Sequence, residues 1–160
     1  MPTVEILEQK GYHFLWIDDE LWMWDVPGEI DDQKSIAKEA WGDILVAGYG
    51  LGLVQKYLFE NPRVRSVLTI EKYQEVLDCA KETYGTLYGN ILVGDFNTYT
   101  SRKRYDCVIG DTWKDQSFRE IGDYLDFKRQ GTTLLKKGGS LLGWGADYFE
   151  FIAHSTSIES

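Results

Sequence analysis

Asp43-Ile44-Leu45-Val46-Ala47-Gly48-Tyr49-Gly50-Leu51-Gly52-Leu53 decides how the rest of this chain is read. A short apolar run enters three glycines on alternate positions, and the amphipathic segment Val54–Phe59 follows at once. The run fits a buried strand and the following segment a helix. Glycine lets the backbone take positive φ and come close to a ligand. Strand, glycine turn and helix together suit a nucleotide-like cofactor.

Outward from this unit, strands and helices alternate. Strand 43–48 leads to helix 51–60, which Asn61-Pro62 breaks. Strand 64–70, helix 74–84, strand 91–93 and strand 105–109 follow. A helical region is expected over about 116–136, broken near Gly131, then a turn at Lys136–Gly139 and a strand over 140–144. Tyr148–Ala153 is expected to form a short last strand. Upstream, residues 1–11 read as a weakly structured lead-in. Tyr12–Ile17 and Leu21–Asp25 read as a β-hairpin turning at Asp18-Asp19-Glu20, and Asp31 or Asp32 caps a helix to about 41. The expected fold is α/β: a Rossmann-like, mainly parallel sheet with helices on both faces, an N-terminal β-hairpin and a shortened C-terminal end. Residues 1–41 would form the substrate side and 42–160 the cofactor domain, as one globular unit.

Ligands of such sheets bind beyond the carboxyl ends of the strands. Those ends carry Gly48-Tyr49-Gly50-Leu51-Gly52, then Glu71, then Gly94-Asp95, then Asp111 after Gly110. Glu71 lies 23 residues after Gly48, near the spacing at which an acid grips ribose hydroxyls. A carboxylate can accept both hydrogen bonds of a vicinal diol. Asp95 suits an adenine amino group. Lys72 and Phe96 directly follow the two acids and join them as candidate cofactor contacts. The competing readings are a helix cap for Glu71, a turn aspartate for Asp95 and a loop cap for Asp111.

Glycine spacing separates cofactors. A dinucleotide fingerprint needs its third glycine at position 53, which is Leu53, and no phosphate-gripping lysine follows the loop. The G-x-G-x-G spacing instead resembles the first motif of class I S-adenosylmethionine-dependent methyltransferases. The resemblance runs over about residues 40–146, through Glu71, Asp95, Asp111 and Leu134–Gly139. It implies S-adenosylmethionine as cofactor, held by Gly48, Tyr49, Gly50, Gly52, Glu71, Lys72, Asp95, Phe96 and Asp111. Gly48–Leu53, Asp111-Thr112-Trp113 and Gly143–Asp147 further resemble the guanidinoacetate and arginine N-methyltransferases. There an aspartate after the fourth strand holds the guanidinium. That implies Asp111 as the catalytic residue, with Thr112 and Trp113 at the substrate. Polyamine synthases are similar too, with a hairpin ahead of the cofactor domain, although their loop carries an acid where this chain has Leu51.

Charge is uneven. The net charge is −9, and residues 1–32 hold nine acids against Lys10 alone. Such a surface repels a phosphate backbone and attracts a small cation, so nucleic acid is not the expected partner. Arg102-Lys103-Arg104 reads as a solvated loop. Trp22, Trp24 and Asp25 are then candidate contacts for a cationic substrate, with Trp22 and Trp24 on one strand face and Met23 on the other. His13, His154, Cys79 and Cys107 lack metal-ligand spacing, and the cysteines read as reduced core residues. No segment has the apolar length of a membrane helix, and Met1–Lys10 lacks a signal pattern, so a cytoplasmic location is expected.

The leading expectation is methyl transfer from S-adenosylmethionine to a small amine or guanidino compound, with Asp111 orienting the amine or taking its proton. Aminopropyl transfer and a non-catalytic cofactor-binding partner subunit are the alternatives. Both resembled families continue beyond the fifth strand, whereas this chain ends soon after it. The last strand is therefore expected to be a sheet edge, covered by self-association or by a strand turning back.

Overall fold

The computed structural model describes residues 1–110, 120–143 and 146–156. Its centre is β4 (Gly42–Ala47). Ile44, Leu45, Val46 and Ala47 are fully buried, which a continuous apolar run achieves only inside a sheet covered on both faces. Beside it lie β5 (Val64–Glu71) and β7 (Tyr105–Gly110), with β6 (Asn90–Val93) and β8 (Leu135–Gly143) outermost. The order is β6-β5-β4-β7-β8 and every pairing is parallel. The order reverses at β4, so the crevice opens at that strand's carboxyl end.

Two helical layers bury the sheet. On one face α1 (Pro27–Glu39) and α2 (Leu53–Phe59) bring Ala37, Val54 and Leu58 onto Ile44, Val46, Cys107 and Ile109. On the other, α4 (Ile121–Thr133) and α5 (Ala146–Thr156) bring Tyr124, Phe127 and Phe149 onto Leu45, Ala47 and Val108. Between β5 and β6 runs α3 (Gln74–Tyr84), the helix expected from Val76, Leu77 and Ala80.

The N-terminus holds one strand more than expected. The supposed lead-in contains β1 (Val4–Gln9), paired antiparallel with β2 (Tyr12–Ile17), which pairs with β3 (Glu20–Trp24). Val4 and Ile6 alternate with Glu5 and turn into a cluster with Leu15, Ile17, Leu51, Leu53 and Val76. This cluster joins the small sheet to the glycine loop and α3. Positive φ at Lys10-Gly11 and at Asp18-Asp19 forms the two turns.

Four other expectations change. First, α1 starts at Pro27 rather than at Asp32, because proline at the first helical position gives up an N–H that has no partner there anyway. Second, α4 runs through Gly131 unbroken; the glycine instead admits close approach, since a Cβ there would meet Leu141 Cδ1 at 2.8 Å. Third, the turn expected at Lys136–Gly139 lies inside β8 as an irregularity, between the pairs Tyr105–Leu135 and Cys107–Ser140.

Fourth, the expected strand 148–153 is helical. Phe149 is fully buried and stacks on Tyr124 with ring centroids 5.1 Å apart. The next residue, Glu150, accepts the Tyr124 hydroxyl at 2.5 Å and the Lys128 ammonium at 2.9 Å. A strand would point successive side chains to opposite faces. A helix lets both meet α4, and that packing overrides the β-propensity of the aromatic run. No strand of this segment folds back on the sheet, so β6 and β8 are its edges among the described residues.

Candidate active site at the glycine loop

The loop after β4 is fixed from below. Gly48 takes φ +92°, and its N–H donates to Ile70 O at 2.9 Å. Glu71 at the end of β5 accepts the Tyr49 N–H on Oε1 at 2.9 Å and the Tyr73 N–H on Oε2 at 2.8 Å. Gln55 reaches back from α2 to donate to Gly48 O at 3.1 Å. Gly52, at φ +72°, faces the Tyr49 ring so closely that a Cβ would lie 2.6 Å from it. The alternate glycines therefore have separate tasks. Gly48 and Gly50 open the loop to the crevice, and Gly52 makes room for Tyr49.

Above the loop is a cavity of about 280 Å³, just below the roughly 300–1,000 Å³ of small-molecule sites. Gly48 and Gly50 form its floor, with Glu71, Lys72, Gly94, Asp95 and Phe96 along the ends of β5 and β6. The N-terminal sheet supplies a wall of Leu15, Ile17, Trp22 and Met23. Asp123 from the first turn of α4 stands at the far side. Glu71, Asp95 and Asp123 face one ammonium, Lys72, so the described lining favours a cation.

Six of the residues expected to contact cofactor, Gly48, Gly50, Glu71, Lys72, Asp95 and Phe96, line this cavity, as does Trp22 of the substrate set. Glu71 is also a brace for the loop, and Asp95 caps the 3₁₀ turn Phe96–Thr98 through Oδ1, which accepts the Asn97 N–H at 2.9 Å. Tyr49 and Gly52 act underneath instead. Tyr49 is 3% exposed, and its hydroxyl accepts the Tyr88 N–H at 3.0 Å. Burial raises the pKa of that hydroxyl. Asp111, Thr112 and Trp113 lie outside the described residues, as do Trp144 and Gly145.

The hairpin differs from the sequence expectation. Trp16 pairs with Leu21 and Leu15 with Met23, so Trp22 is the extra residue of a β-bulge. A bulge re-aims side chains. Here it breaks the alternation that would pair Trp22 with Trp24, and Trp22 and Met23 both reach the cavity. Trp24 packs edge-on against Phe14 and is 40% exposed. The Asp25 carboxylate accepts the His13 N–H at 2.5 Å, meets His13 Nδ1 at 2.6 Å and accepts the Tyr84 hydroxyl at 3.0 Å. Burial and the Asp25 carboxylate push the Tyr84 hydroxyl far above its ordinary range, which keeps it a donor. Met23 and Asp123 escaped the sequence reading. Strict alternation puts Met23 on the face opposite Trp22 and Trp24, and Asp123 falls inside a helix expected to begin at about 116.

No protein-family model matches the sequence, and no curated protein does. Among solved structures, the spermidine synthase of Thermotoga maritima is similar over 99% of this chain and 60% of its own, at 14% identity and a TM-score of 0.69. A S-adenosylmethionine-dependent methyltransferase of Clostridium acetobutylicum ATCC 824 is similar over 72% of this chain and 49% of its own, at 16% identity and a TM-score of 0.52. The fold is the Rossmann-like fold of these transferases. CalS10, an amino pentose methyltransferase from Micromonospora echinaspora with S-adenosylmethionine bound, shares it over 73% of this chain and 49% of its own, at 18% identity and a TM-score of 0.50. The chain spans about half to three-fifths of the length of these proteins. No described helix is long and apolar enough to cross a membrane.

Proposed function

We propose that the cavity binds S-adenosylmethionine and that the chain transfers its methyl group to a small amine or guanidino compound. The observation that carries this reading is the convergence of Gly48, Gly50, Glu71 and Asp95, from three successive strand ends, on one cavity with an excess of carboxylates. The residues present fit the group. The glycine floor leaves room above the loop, and a lining that carries Glu71, Asp95 and Asp123 would suit a cation such as a sulfonium. Of the roughly four lone-pair sites of Glu71, one is used on the loop by the Tyr49 N–H and one on the turn after β5 by the Tyr73 N–H, which leaves acceptors for a ribose diol. The bond from Asn97 occupies Asp95 Oδ1 and leaves Oδ2 for an amino group.

When bound, the cofactor supplies an electrophilic methyl on sulfur, open to in-line displacement. The chain then has to align the acceptor and keep water out. Trp22 and Met23 wall the cavity from the N-terminal sheet. Asp111 follows the end of β7, next to β4 in the sheet. In this proposal it holds the amine or guanidine and takes its proton, beside Thr112 and Trp113.

Calorimetry with S-adenosylmethionine and S-adenosylhomocysteine tests the reading, with micromolar binding expected. Absence of binding at millimolar ligand overturns it. With binding established, Asp111→Asn should lower turnover at saturating S-adenosylmethionine on the order of 10²-fold or more.

A second reading, aminopropyl transfer from the decarboxylated cofactor, is favoured by the extent of the structural likeness. The spermidine synthase covers 99% of the chain against 72% for the methyltransferase. The difference, about 43 residues, is close to the size of the segment 1–41 that holds the small antiparallel sheet. Incubation with putrescine and each cofactor, followed by mass spectrometry of the products, separates the two transfers.

A further inference from the structure

One peptide unit in the glycine loop is held at both ends. The Tyr49 N–H donates to Glu71 Oε1, and the Gly48 carbonyl accepts from Gln55 Nε2 at 3.1 Å. Glu71 lines the cavity; Gln55, in the first turn of α2 and 1% exposed, does not. The same Nε2 donates to Thr69 Oγ1 on β5 at 3.2 Å, and Thr69 is fully buried. Turning the amide over would set Oε1 against the Gly48 carbonyl, acceptor against acceptor. The amide therefore has one usable orientation, which leaves Oε1 buried and, among the described residues, without a partner. An unpaired buried acceptor costs stability that an apolar side chain of the same shape would not. Packing alone is thus a poor account of glutamine at this position.

We propose that Gln55 is a positioning residue for the glycine loop. It holds the Gly48 carbonyl back from the crevice, so that the floor under the ligand is set before the ligand arrives. With an apolar side chain in place of Gln55, that carbonyl has no donor, and turning toward water in the crevice relieves the cost. Glycine at 48, already at φ +92°, lets the peptide turn with little backbone strain. The turned carbonyl takes up ligand space and faces the Glu71 carboxylate, whose bond to the Tyr49 N–H breaks in the same movement. A ligand then binds only the fraction of molecules with the carbonyl held back, and its affinity falls by that fraction. This inference rests on the reading that the cavity takes an S-adenosyl ligand.

Gln55→Met combined with Thr69→Val tests it, because the pair removes the amide, its unpaired oxygen and the hydroxyl while nearly keeping their shapes. The melting temperature should stay at or above that of wild type. Affinity for S-adenosylhomocysteine should fall about fivefold or more in calorimetry, as the held conformer drops to roughly a fifth of the molecules. A side chain that served packing alone would move the two readouts together. Hydrogen exchange gives the local signature: the Tyr49 amide should lose protection in the variant while those of Leu45 and Val46 in β4 keep theirs.

The wild-type protein supplies a check that needs no variant. Its Tyr49 amide should be protected before any ligand is added. Free exchange at Tyr49 until S-adenosylhomocysteine binds would show that the ligand, not Gln55, sets the loop, and would overturn the proposal. A double variant that melts well below wild type would make Gln55 a packing residue, and one that binds as tightly as wild type would make it dispensable. In each of these cases the site reading stands and the positioning role is wrong. If wild type binds neither S-adenosylmethionine nor S-adenosylhomocysteine, the site reading falls and takes the inference with it.

Discussion

Glu71 Oε1 accepts the backbone N–H of Tyr49 at 2.9 Å, tying the end of β5 to the loop that follows β4. Its other oxygen accepts the Tyr73 N–H, so one carboxylate holds two turns at adjacent strand ends. Because Glu71 is only 6% exposed, water cannot readily replace it. Glu71→Ala should therefore cost about 2–4 kcal/mol by urea unfolding, as two charge-assisted bonds are lost and buried donors stay unpaired. Glu71→Gln keeps one acceptor oxygen and should cost roughly half as much. Both should weaken S-adenosylhomocysteine binding more than they weaken folding, since the same carboxylate is the proposed ribose contact. Equal stability of Glu71→Ala and wild type would show that the loop does not depend on this brace.

Gly52 and Tyr49 offer a second check. Alanine at position 52 meets two obstacles: a backbone at φ +72°, and the Tyr49 ring 2.6 Å from the new Cβ. A positive φ alone costs alanine about 1 kcal/mol, and displacing a ring that is 3% exposed adds an overpacking cost of about 1–3 kcal/mol. Gly85→Ala, at φ +81° with nothing near its Cβ, carries the backbone cost alone. Gly52→Ala should thus be clearly less stable than Gly85→Ala in thermal unfolding. Similar losses for the two would mean that the Tyr49 ring moves aside freely.

Acid sensitivity should arise at the opposite end of the sheet. Asp43 accepts Arg65 Nε at 3.0 Å and Nη2 at 2.9 Å, and the Ser66 hydroxyl at 2.7 Å. The Arg65 and Ser66 bonds hold its carboxyl far below the ordinary 3.8. The unfolded chain takes up this proton near 3.8 and the folded chain only at much lower pH. Asp43 therefore contributes stability that is complete above the unfolded value and lost as pH falls below it. Between about pH 5 and pH 2.5, wild type should lose melting temperature more steeply than Asp43→Asn. Parallel curves would assign the acid response to other carboxylates.

The sequence was most legible where one physical demand dominates. Continuous apolar residues at 44–47 have to be buried on both faces, and glycines at 48, 50 and 52 fit only a turn with positive φ. From these, β4, α2 and the acidic strand ends at 71 and 95 follow. It was least legible where tertiary contacts choose between local options. Tyr148–Ala153 has strand composition, yet Phe149 and Glu150 both dock on α4 and impose a helix. Trp22 and Met23 share the cavity through a bulge that strict alternation cannot express. Val4–Gln9 did carry a readable signal, Val4 and Ile6 on either side of Glu5, but it is short and highly charged.

The contacts of Asp25 yield the last prediction. Its carboxylate joins β2, through His13, to α3, through Tyr84. The sheet that it fastens supplies the cavity wall of Leu15, Ile17, Trp22 and Met23. Asp25→Ala removes the shared acceptor and should cost about 2–3 kcal/mol; Tyr84→Phe removes one bond and should cost about 1 kcal/mol. The loss should be local. In hydrogen exchange, amides of β1–β3 should open faster while those of β4, β5 and β7 keep their protection. Binding of S-adenosylhomocysteine should weaken in step with that opening, because its wall is present for a smaller fraction of time. If protection falls equally in both sheets, the small sheet is not a separately opening unit, and Asp25 contributes to global stability alone.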